Sequence, residues 1–581
     1  MNPATACAVT LVDALVAQGV TDAVVCPGSR SAALAYAIQD ADRASRIRMH
    51  VRVDERSAGF LALGLAKLSG RPVPVLTTSG TALANLHPAV LESSQASVPL
   101  LVLSADRPPE LRGTGANQTT DQLHFFGRAV RWFHEVGTPA QGDDPRVWRA
   151  VAARAYAAAV GTMGSPAGPV HLNLPMREPL LPDHPDHPPA AEPPREAEPP
   201  PAPASTADLV QRTQPAPGPV VPDAPRTLMV LGDLPQPGQS ADAVALARAR
   251  GWPVVAEPFG RFDRTDVVAH GPLLLTAADW VERHRPGRVL VVGRPTLSRA
   301  VTAVLADDRS TVELVSALPQ WTDPGHVAQR VYPWASVQAS VQASLADPAE
   351  AGVGQDGGWL ATWRQAGAAV AAAVDDVIAG SWPSGLAVAS ALVAGLPPGA
   401  VLFTGSSNPV RDLSLAMGAR DSLSGVSVLA NRGLAGIDGC VSTAVGVALS
   451  SPGRPAYALM GDLTFLHDAN GLLIGPAEPR PDLTFVVVND DGGGIFTLLE
   501  PGDPSRAEEF ERVFGTPTGA CIEALCRGHG VPHVLARSRA DFADAVSDRP
   551  SGIRVVEVRV ERGSHRGLHR RLRETAAQAL A

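Results

Sequence analysis

The chain has 581 residues, 45% of them hydrophobic and 18% charged, and a formal net charge of −9. One hydrophobic core does not grow beyond roughly 250–300 residues, so we expect two or three domains. The negative net charge argues against a nucleic-acid-binding protein. Lys67 is the only lysine, so an anion site here must use arginine, backbone N–H groups or a metal ion.

Residues 1–19 predict an amphipathic helix, without the cationic start and long apolar run of a signal peptide. The chain contains no run of about 18 apolar residues that would predict a transmembrane helix. Its cysteines form no CxxC pair and no metal-ligand cluster; they are Cys7, Cys26, Cys440, Cys521 and Cys526. Free thiols suit a reducing compartment, and we expect a cytoplasmic protein.

Up to residue 181, short apolar runs alternate with helical patterns. The runs VTDAVVCPGS, RPVPVLTTSG and VPLLVLSAD each predict a buried strand that ends in Gly, Ser or Asp. Segments such as SAGFLALGLAKLSG, with helical spacing of apolar residues, lie between them. This βαβ alternation predicts an α/β domain with a parallel sheet over residues 1–181.

Two stretches of different composition divide the rest of the chain. Residues 182–225 are rich in Pro, Ala and acids and predict an extended linker, in which His184 and His187 are solvated. Residues 226–350 resume the βαβ pattern with RTLMVLGD, PVVAEP and RVLVVGRP. A third α/β domain is predicted over 359–581, with AVLFTGSS, RPAYALMGD, LTFVVVND and IRVVEVRV. The fold class is thus three doubly wound parallel-sheet domains, with ligands expected at the carboxyl ends of their strands.

Oxygen-bearing side chains follow two strands of the third domain. Asp462, after Met460-Gly461, ends one strand and opens a helix, and Asn489-Asp490 ends the next, before a run of glycines. The spacing leaves room for one helix and one strand, which places Asp462 and Asp490 at neighbouring strand ends. Carboxylates beside a Gly-rich turn are typical of a Mg²⁺–phosphate site. Two ordinary β-to-α loops remain an alternative, and a Rossmann site is disfavoured because no G-x-G-x-x-G follows a strand.

Polar loops also follow the strands of the first domain. Glu55 lies where a strand end enters a helix, and alone it is explained equally by helix capping. Three loops lie at the same sheet edge, around Arg30, around Ser79 and around Arg107. Single arginines are often surface groups, but their shared position predicts a rim that binds small carboxylates.

These motifs resemble the thiamine-diphosphate enzyme superfamily, in which pyrimidine-binding, central and diphosphate-binding domains follow one another. The finer resemblance is to the 2-succinyl-5-enolpyruvyl-6-hydroxy-3-cyclohexene-1-carboxylate synthase family of menaquinone biosynthesis. It is carried by PGSRS, DERSAGF, TTSGTALANLHPAV and SADRPPELRGTGANQTTDQ in the first domain, and by NRGLAGIDG, GDLTFLHDANGL and GGGIF in the third. The central domain matches only loosely.

The resemblance implies roles for individual residues. Glu55 would be catalytic, through a hydrogen bond to N1′ of the cofactor pyrimidine, and Ile437 would support the bent cofactor. Mg²⁺, or Mn²⁺ in its place, would be held by Asp462, Asp490 and the carbonyl of Gly492. Further cofactor contacts are implied at Thr78, Gly80, Asn85, Gly461, Leu463, Asn489 and Ile495. Substrate contacts are implied at Ser29, Arg30, Arg107, Asn117, Gln118, Arg299, Ser407, Arg411, Arg432, Ile495 and Phe496.

The same resemblance implies the reaction and the assembly. The enzyme would decarboxylate 2-oxoglutarate and add the resulting succinyl carbanion equivalent to isochorismate, as a homodimer or homotetramer with the cofactor at the subunit interface. Two departures stand out: Leu463 replaces the Gly of the general G-D-G motif, and Asp490 replaces the commoner Asn. Alternatives are another thiamine-diphosphate carboligase or decarboxylase, a non-catalytic cofactor-binding paralogue, and a nicotinamide or flavin oxidoreductase.

Two segments near the C-terminus carry weaker expectations. The Gly/Pro-broken region Phe514-Gly515-Thr516-Pro517 is either a segment that closes over the site or a plain surface loop. The basic stretch ERGSHRGLHRRLRETAAQAL predicts a solvated terminal helix rather than a surface for nucleic acid or membrane.

Overall fold

The first sheet contains six parallel strands in the order β2-β1-β3-β4-β6-β5. The computed structural model describes residues 1–162, 164–181, 218–346, 357–418, 425–549 and 551–581. The six strands are β1 (Asp22–Val25), β2 (Arg48–Val51), β3 (Val73–Thr77), β4 (Leu100–Asp106), β5 (Trp132–Glu135) and β6 (Pro169–Pro175). The four inner strands are buried along their whole length, whereas the edge strands β2 and β5 are mostly half-buried. Strands covered on both faces often read as continuous apolar runs, and β1, β3 and β4 were predicted on that pattern. The inner strand β6 was not predicted, because its sequence PVHLNLP is interrupted by His171 and Asn173.

Helices cover both faces of this sheet. They are α1 (Pro3–Ala17), α2 (Ala32–Arg43), α3 (Glu55–Ser69), α4 (Thr81–Ala84), α5 (His87–Ala96) and α6 (Pro145–Val160). A continuous apolar core joins α1, α2 and α6 to the strands. On α3, a Cβ added to Gly59 would lie 2.9 Å from the Cβ of Ala89, so glycine permits the close packing of α3 on α5.

The central sheet contains five parallel strands in the order β11-β10-β9-β7-β8. They are β7 (Thr227–Leu231), β8 (Val254–Ala256), β9 (Arg288–Val292), β10 (Thr311–Ser316) and β11 (Ala328–Pro333). The accompanying helices are α7 (Gln239–Arg250), α8 (Gly271–Leu274), α9 (Ala278–Arg283), α10 (Arg299–Leu305) and α11 (Ala335–Ala346).

The third sheet contains six parallel strands in the order β13-β12-β14-β15-β17-β16, the same order as the first sheet. They are β12 (Val401–Thr404), β13 (Ser427–Ala430), β14 (Ala456–Gly461), β15 (Leu483–Asn489), β16 (His533–Leu535) and β17 (Ile553–Arg559). Its helices are α12 (Gly357–Ala379), α13 (Gly385–Gly395), α14 (Asn408–Ala416), α15 (Cys440–Leu449), α16 (Asp462–His467), α17 (Ala507–Phe510), α18 (Ile522–Gly528), α19 (Arg539–Ser547) and α20 (His565–Gln578).

Three parallel sheets with intervening helices confirm the predicted fold class. The chain divides into two compact units, Met1–Gln214 with Leu473–Pro479, and Pro215–Leu472 with Arg480–Ala581. The segment Leu473–Pro479 thus belongs with the first sheet, where the Glu478 carboxylate accepts from Val51 N at 2.7 Å. The second unit contains both the central and the third sheets.

Two sequence expectations need comment. Most of the predicted linker 182–225, with His184 and His187, lies outside the described residues. Residues 218–225 form no regular element, but Val221 is fully buried and its N–H donates to Ser340 Oγ at 2.8 Å, so this part packs against α11. The C-terminal helix α20 is not fully solvated, because it buries His565, Leu572 and Ala576 on one face. Within the described ranges, no helix combines the length and apolar character needed to span a membrane.

Candidate active site

Asp462 lies at the carboxyl end of β14, as the first residue of α16. It is 3% exposed, and in the described part of the chain its Oδ2 has no hydrogen-bond partner. Burial raises the pKa of this carboxyl, whereas the backbone N–H of Leu463, a hydrogen bond with Asp490 and the N–H of Gly492 act in the opposite direction. A buried carboxylate oxygen without a partner is an unfavourable arrangement that a cation would relieve.

Asp490 follows β15, which pairs directly with β14, and its carboxyl is hydrogen-bonded to that of Asp462. Burial and the charge of Asp462 raise the pKa of Asp490 to about 8. No group of three or more His, Cys, Asp or Glu side chains suited to a metal occurs among the described residues. Two carboxylates and nearby carbonyls nevertheless fit Mg²⁺, which takes few protein ligands when phosphate oxygens and water complete its octahedron.

The glycines after Asp490 lie in close contact with backbone and side-chain atoms. Gly492 has φ +144°, and a Cβ there would lie 1.9 Å from Gly515 O. A Cβ on Gly494 would lie 1.8 Å from Asp490 Oδ2. The N–H of Gly493 donates to Gly515 O at 2.7 Å. The region Phe514–Pro517 therefore contacts the glycine run directly and is not a detached surface loop.

Asn489 is placed differently from its neighbour. Its Nδ2 donates to Glu557 Oε1 on β17 at 2.8 Å, and its Oδ1 accepts from the Asp491 N–H. The Asn489 side chain is thus engaged with β17, while Asp490 meets Asp462. Farther along, Ile495 and Phe496 lie in a short 3₁₀ helix, and the Phe496 ring packs 5.4 Å from that of Phe514.

Two predicted substrate arginines of the second unit are largely buried. Arg411 Nη1 donates to Ser407 O at 2.7 Å, and burial, followed by the charge of Arg432, lowers the pKa of Arg411. Arg432 is 4% exposed, and its Nη2 donates to Thr296 Oγ1 at 2.8 Å. Ile437 lies partly buried between β13 and α15. The structure therefore concentrates positive charge near the carboxyl ends of β12 and β13.

A cavity of about 250 Å³ adjoins these residues. Arg299 and Arg411 line it, together with His569 and Arg573 from α20 and a wall of leucines at 273, 297, 415, 498, 499 and 572. Cations on an apolar wall suit a small carboxylic acid with an aliphatic chain. No sequence pattern singled out His569 or Arg573, because the terminal helix was expected to be solvated.

Glu257 is a further buried carboxylate that no motif indicated. Its Oε1 accepts from the N–H groups of Thr296 and Leu297, both at 2.6 Å, and burial raises its pKa to about 7. The charge of Arg432 acts against that rise. Glu257 thus fixes the backbone of the residue whose hydroxyl binds Arg432.

In the first unit, Glu55 is the first residue of α3, directly after its N-cap. The Asp54 carboxylate caps the helix by accepting from Arg56 N at 2.9 Å and Ser57 N at 3.2 Å. Glu55 is half-buried within this unit. It lies close enough to raise the pKa of Cys26, after the effect of burial itself. Asp54 therefore caps α3, and the Glu55 carboxylate at the sheet edge is not needed for this capping.

The predicted arginine rim is present at the same edge. Arg30 Nη1 donates to Met176 O at 3.0 Å, and burial, followed by the charge of Arg107, lowers the pKa of Arg30. Arg107 donates to Ser79 Oγ, which donates in turn to Gln118 O at 2.8 Å. The structure thus brings the three predicted loops together.

Glycine and small side chains shape these loops. A Cβ on Gly28 would lie 2.3 Å from the Cβ of Thr78, so the first loop needs glycine there. Gly80 has φ +83° and its N–H donates to Gln122 Oε1 at 3.0 Å. Four predicted site residues, Ser29, Asn85, Asn117 and Gln118, are exposed in this unit.

A buried polar chain beneath the rim was not predicted. Gln122 donates to Asn173 Oδ1 at 2.9 Å, and Asn173 donates to Asp106 Oδ2 at 2.9 Å. Arg112 pairs with Asp106 at 2.9 Å. Because Asp106 Oδ1 also accepts from Arg107 N at 2.7 Å, this chain fixes the start of the Arg107 loop.

Comparison with known proteins agrees with this geometry. Family models of the thiamine pyrophosphate enzymes match twice, the N-terminal TPP binding domain over residues 6–125 and the C-terminal TPP binding domain over residues 420–558. Proteins named 2-succinyl-5-enolpyruvyl-6-hydroxy-3-cyclohexene-1-carboxylate synthase align with the chain from end to end. The one from Saccharopolyspora erythraea is 45% identical and the one from Thermobifida fusca 46% identical, each over 100% of both chains. The one from Mycobacteroides abscessus is 44% identical over 99% of both. These findings confirm the resemblance found in the motifs, and the chain belongs to the 2-succinyl-5-enolpyruvyl-6-hydroxy-3-cyclohexene-1-carboxylate synthase family of thiamine pyrophosphate enzymes.

Proposed function

We propose that the protein is a thiamine-diphosphate- and Mg²⁺-dependent synthase of menaquinone biosynthesis. It decarboxylates 2-oxoglutarate and adds the succinyl unit to isochorismate, giving 2-succinyl-5-enolpyruvyl-6-hydroxy-3-cyclohexene-1-carboxylate and CO₂. The end-to-end alignment with synthases of that name carries this proposal. The buried Asp462–Asp490 pair, which suits a divalent cation, is the structural observation that supports it.

Three groups of the third sheet would hold the metal: the carboxylates of Asp462 and Asp490, and the carbonyl of Gly492. Mn²⁺ would serve in place of Mg²⁺, because it accepts the same oxygen ligands. The bound cofactor supplies a nucleophilic carbon and a sink for the electrons released by decarboxylation.

Glu55 is the proposed catalytic residue. Its carboxyl would share a proton with N1′ of the cofactor pyrimidine and so set the protonation of the pyrimidine. The capping of α3 by Asp54 supports this role, because it leaves the Glu55 carboxylate free of the helix backbone. Thr78, Gly80 and Asn85 are proposed cofactor contacts in this unit. Ile437, Gly461, Leu463, Asn489 and Ile495 are those of the second unit.

Arginines would bind the carboxylates of the two anionic substrates. In the second unit, Arg299, Arg411 and Arg432, with Ser407, are proposed for one substrate, and Ile495 and Phe496 would line its apolar part. In the first unit, the proposed contacts are Ser29, Arg30, Arg107, Asn117 and Gln118. Largely buried guanidinium groups such as Arg411 and Arg432 favour anions strongly, because water screens their charge weakly.

We further propose a homodimer or homotetramer with the cofactor at the subunit interface. Glu55 is half-buried in the single chain, and a partner subunit would complete its surroundings. The proposed compartment is the cytoplasm, which suits five free cysteines.

The decisive experiment follows isochorismate loss with purified protein, thiamine diphosphate, Mg²⁺ and 2-oxoglutarate, and identifies the product by mass. We expect the succinyl adduct only when cofactor and metal are both present. CO₂ release from a different 2-oxo acid, without turnover of isochorismate, would instead indicate another thiamine-diphosphate carboligase or decarboxylase. Cofactor binding without any turnover would indicate a non-catalytic paralogue.

A further inference from the structure

The glycine-rich segment 490–494, here called the metal loop, is bound along its length by residues 511–519, here called the flanking segment. The Gly493 N–H donates to Gly515 O at 2.7 Å. The Asp491 carboxylate accepts from Thr518 N at 3.1 Å and from Gly519 N at 3.0 Å. The two segments thus form one hydrogen-bonded body within the second unit.

Arg562 joins both segments through a single guanidinium group. Its Nη1 donates to the carbonyls of Asp490 and Gly515, both at 3.3 Å, and to that of Asp491. Its Nη2 pairs with the Glu511 carboxylate in the flanking segment. The side chain is 14% exposed and enters from the short turn between β17 and α20. A planar guanidinium with several donors suits this convergence of acceptors, whereas a lysine ammonium lacks the fixed fork.

The metal loop needs such support. Asp491 has φ +51° and Gly492 φ +144°, conformations that most residues avoid and that neighbouring contacts must hold in place. The Arg562 guanidinium lies against the carbonyl oxygens of Asp490 and Asp491, where its positive charge strengthens these hydrogen bonds. Arg562 therefore supplies both hydrogen bonds and positive charge where the loop is least stable by itself.

We infer that Arg562 is a positioning residue for the metal–diphosphate group. Arg562 holds Asp490 and Gly492 in place in the metal loop, and through the same contacts the flanking segment becomes more ordered when the cofactor binds. This inference rests on the proposed function, since it takes Asp490 and Gly492 as metal ligands. Outer-shell partners of metal ligands commonly change metal affinity by about 10–100-fold when replaced.

The test measures thiamine diphosphate binding by calorimetry in the presence of Mg²⁺, without substrates. We expect Arg562→Gln to weaken binding by about 10–100-fold, and Arg562→Lys to give an intermediate affinity because the charge remains. Glu511→Gln, which leaves the carbonyl contacts of Arg562 in place, should weaken binding less than Arg562→Gln does. The matched control is Arg566→Gln, since Arg566 also donates to two backbone carbonyls, those of Thr497 and Leu499, outside the metal loop.

Hydrogen exchange of residues 511–519 gives the second readout. In the wild-type protein, cofactor and Mg²⁺ should slow hydrogen exchange of these amides. In Arg562→Gln this protection should be lost. The melting temperature of Arg562→Gln without cofactor should stay close to that of Arg566→Gln. Equal affinity and equal protection in wild type and Arg562→Gln would overturn the inference alone. The inference would also be overturned if Arg566→Gln weakened thiamine diphosphate binding as much as Arg562→Gln does. A wild-type protein that binds no thiamine diphosphate would overturn the proposed function together with the inference.

Discussion

The first and third sheets have the same strand order, but their carboxyl ends present opposite chemistry. The first sheet gathers Arg30 and Arg107 with neutral amides and the Glu55 carboxylate, while the carboxylates of Asp54 and Asp106 bind loop backbone. The third gathers two buried carboxylates, Asp462 and Asp490, beside a run of glycines. Shared topology therefore fixes where a site forms, whereas the loop residues decide whether that site attracts anions or a cation.

The second unit adds a contrast of its own. Arg411 donates to the Ser407 carbonyl there, and Arg432, which is 4% exposed, donates to the Thr296 hydroxyl. Arginines suited to anions thus occur in both units, whereas the buried acidic pair Asp462–Asp490 occurs at the third sheet. Four substitutions, from the largest expected effect to the smallest, test this division of roles.

Glu55→Gln tests whether the first sheet contributes acid–base chemistry in addition to binding. We expect kcat to fall by about 10²–10⁴-fold, because an amide cannot exchange a proton with the pyrimidine nitrogen. The affinity for thiamine diphosphate should change little. The control is Glu110→Gln, an exposed carboxylate of the same unit paired with Arg177. A variant with full kcat would remove Glu55 from the mechanism.

Arg411→Gln tests whether the second unit binds a substrate carboxylate. Loss of a charged hydrogen bond of about 1.5–3 kcal/mol should raise the KM for 2-oxoglutarate by about 10–100-fold. Arg573→Gln, on the same cavity wall but exposed, should have a smaller effect because water screens its charge. Steady-state kinetics with each substrate varied separately would show which KM changes. An unchanged KM for both substrates would contradict the assignment of Arg411.

Asp490→Asn tests whether the charge of the acidic pair serves the metal. Removing one negative charge should lower the Mg²⁺ affinity, by about tenfold on the scale of altered metal sites. At pH 9, above the pKa of about 8 at which Asp490 loses its proton, it should also raise the melting temperature of the metal-free protein, because repulsion from Asp462 disappears. Mg²⁺ titration and thermal denaturation with a chelator measure the two effects. A metal-free protein made less stable by the substitution would argue that the pair is structural.

Glu257→Gln should have the smallest effect, which is a change in how the free energy of unfolding depends on pH. The pKa of Glu257 is raised to about 7 in the folded protein by burial, so the folded state holds this proton more tightly than the unfolded state does. The free energy of unfolding should therefore fall as pH rises between about 4.5 and 7, by on the order of 1–3 kcal/mol, and then level off.

The glutamine variant lacks this titration. We expect it to be more stable than wild type at pH 8 and closer to wild type at pH 5, as measured by urea denaturation at both values. Arg432 should keep its bond to Thr296, since a glutamine oxygen still accepts from the Thr296 and Leu297 N–H groups. A stability difference that is the same at both pH values would mean that Glu257 does not titrate in this range.

The sequence by itself determined the α/β class with parallel sheets and the strand ends at which Glu55, Asp462 and Asp490 lie. Inner strands such as β4 and β15 are continuous apolar runs, and polar residues that follow such runs must fall at strand ends. The half-buried edge strand β5 carries no such signal, because its residues WFHE neither alternate nor form an apolar run.

Only the tertiary structure decided which distant residues meet these edges. Glu257 binds the backbone of a loop about forty positions away, Arg562 reaches the metal loop from beyond β17, and α20 brings His569 and Arg573 to the cavity. Glu257 is a single charged residue among apolar ones, and Arg562, His569 and Arg573 belong to a basic stretch; both patterns equally fit a solvated surface. Local spacing fixes which element a side chain lies on, but its partners depend on how separate elements pack, and no local pattern records that packing.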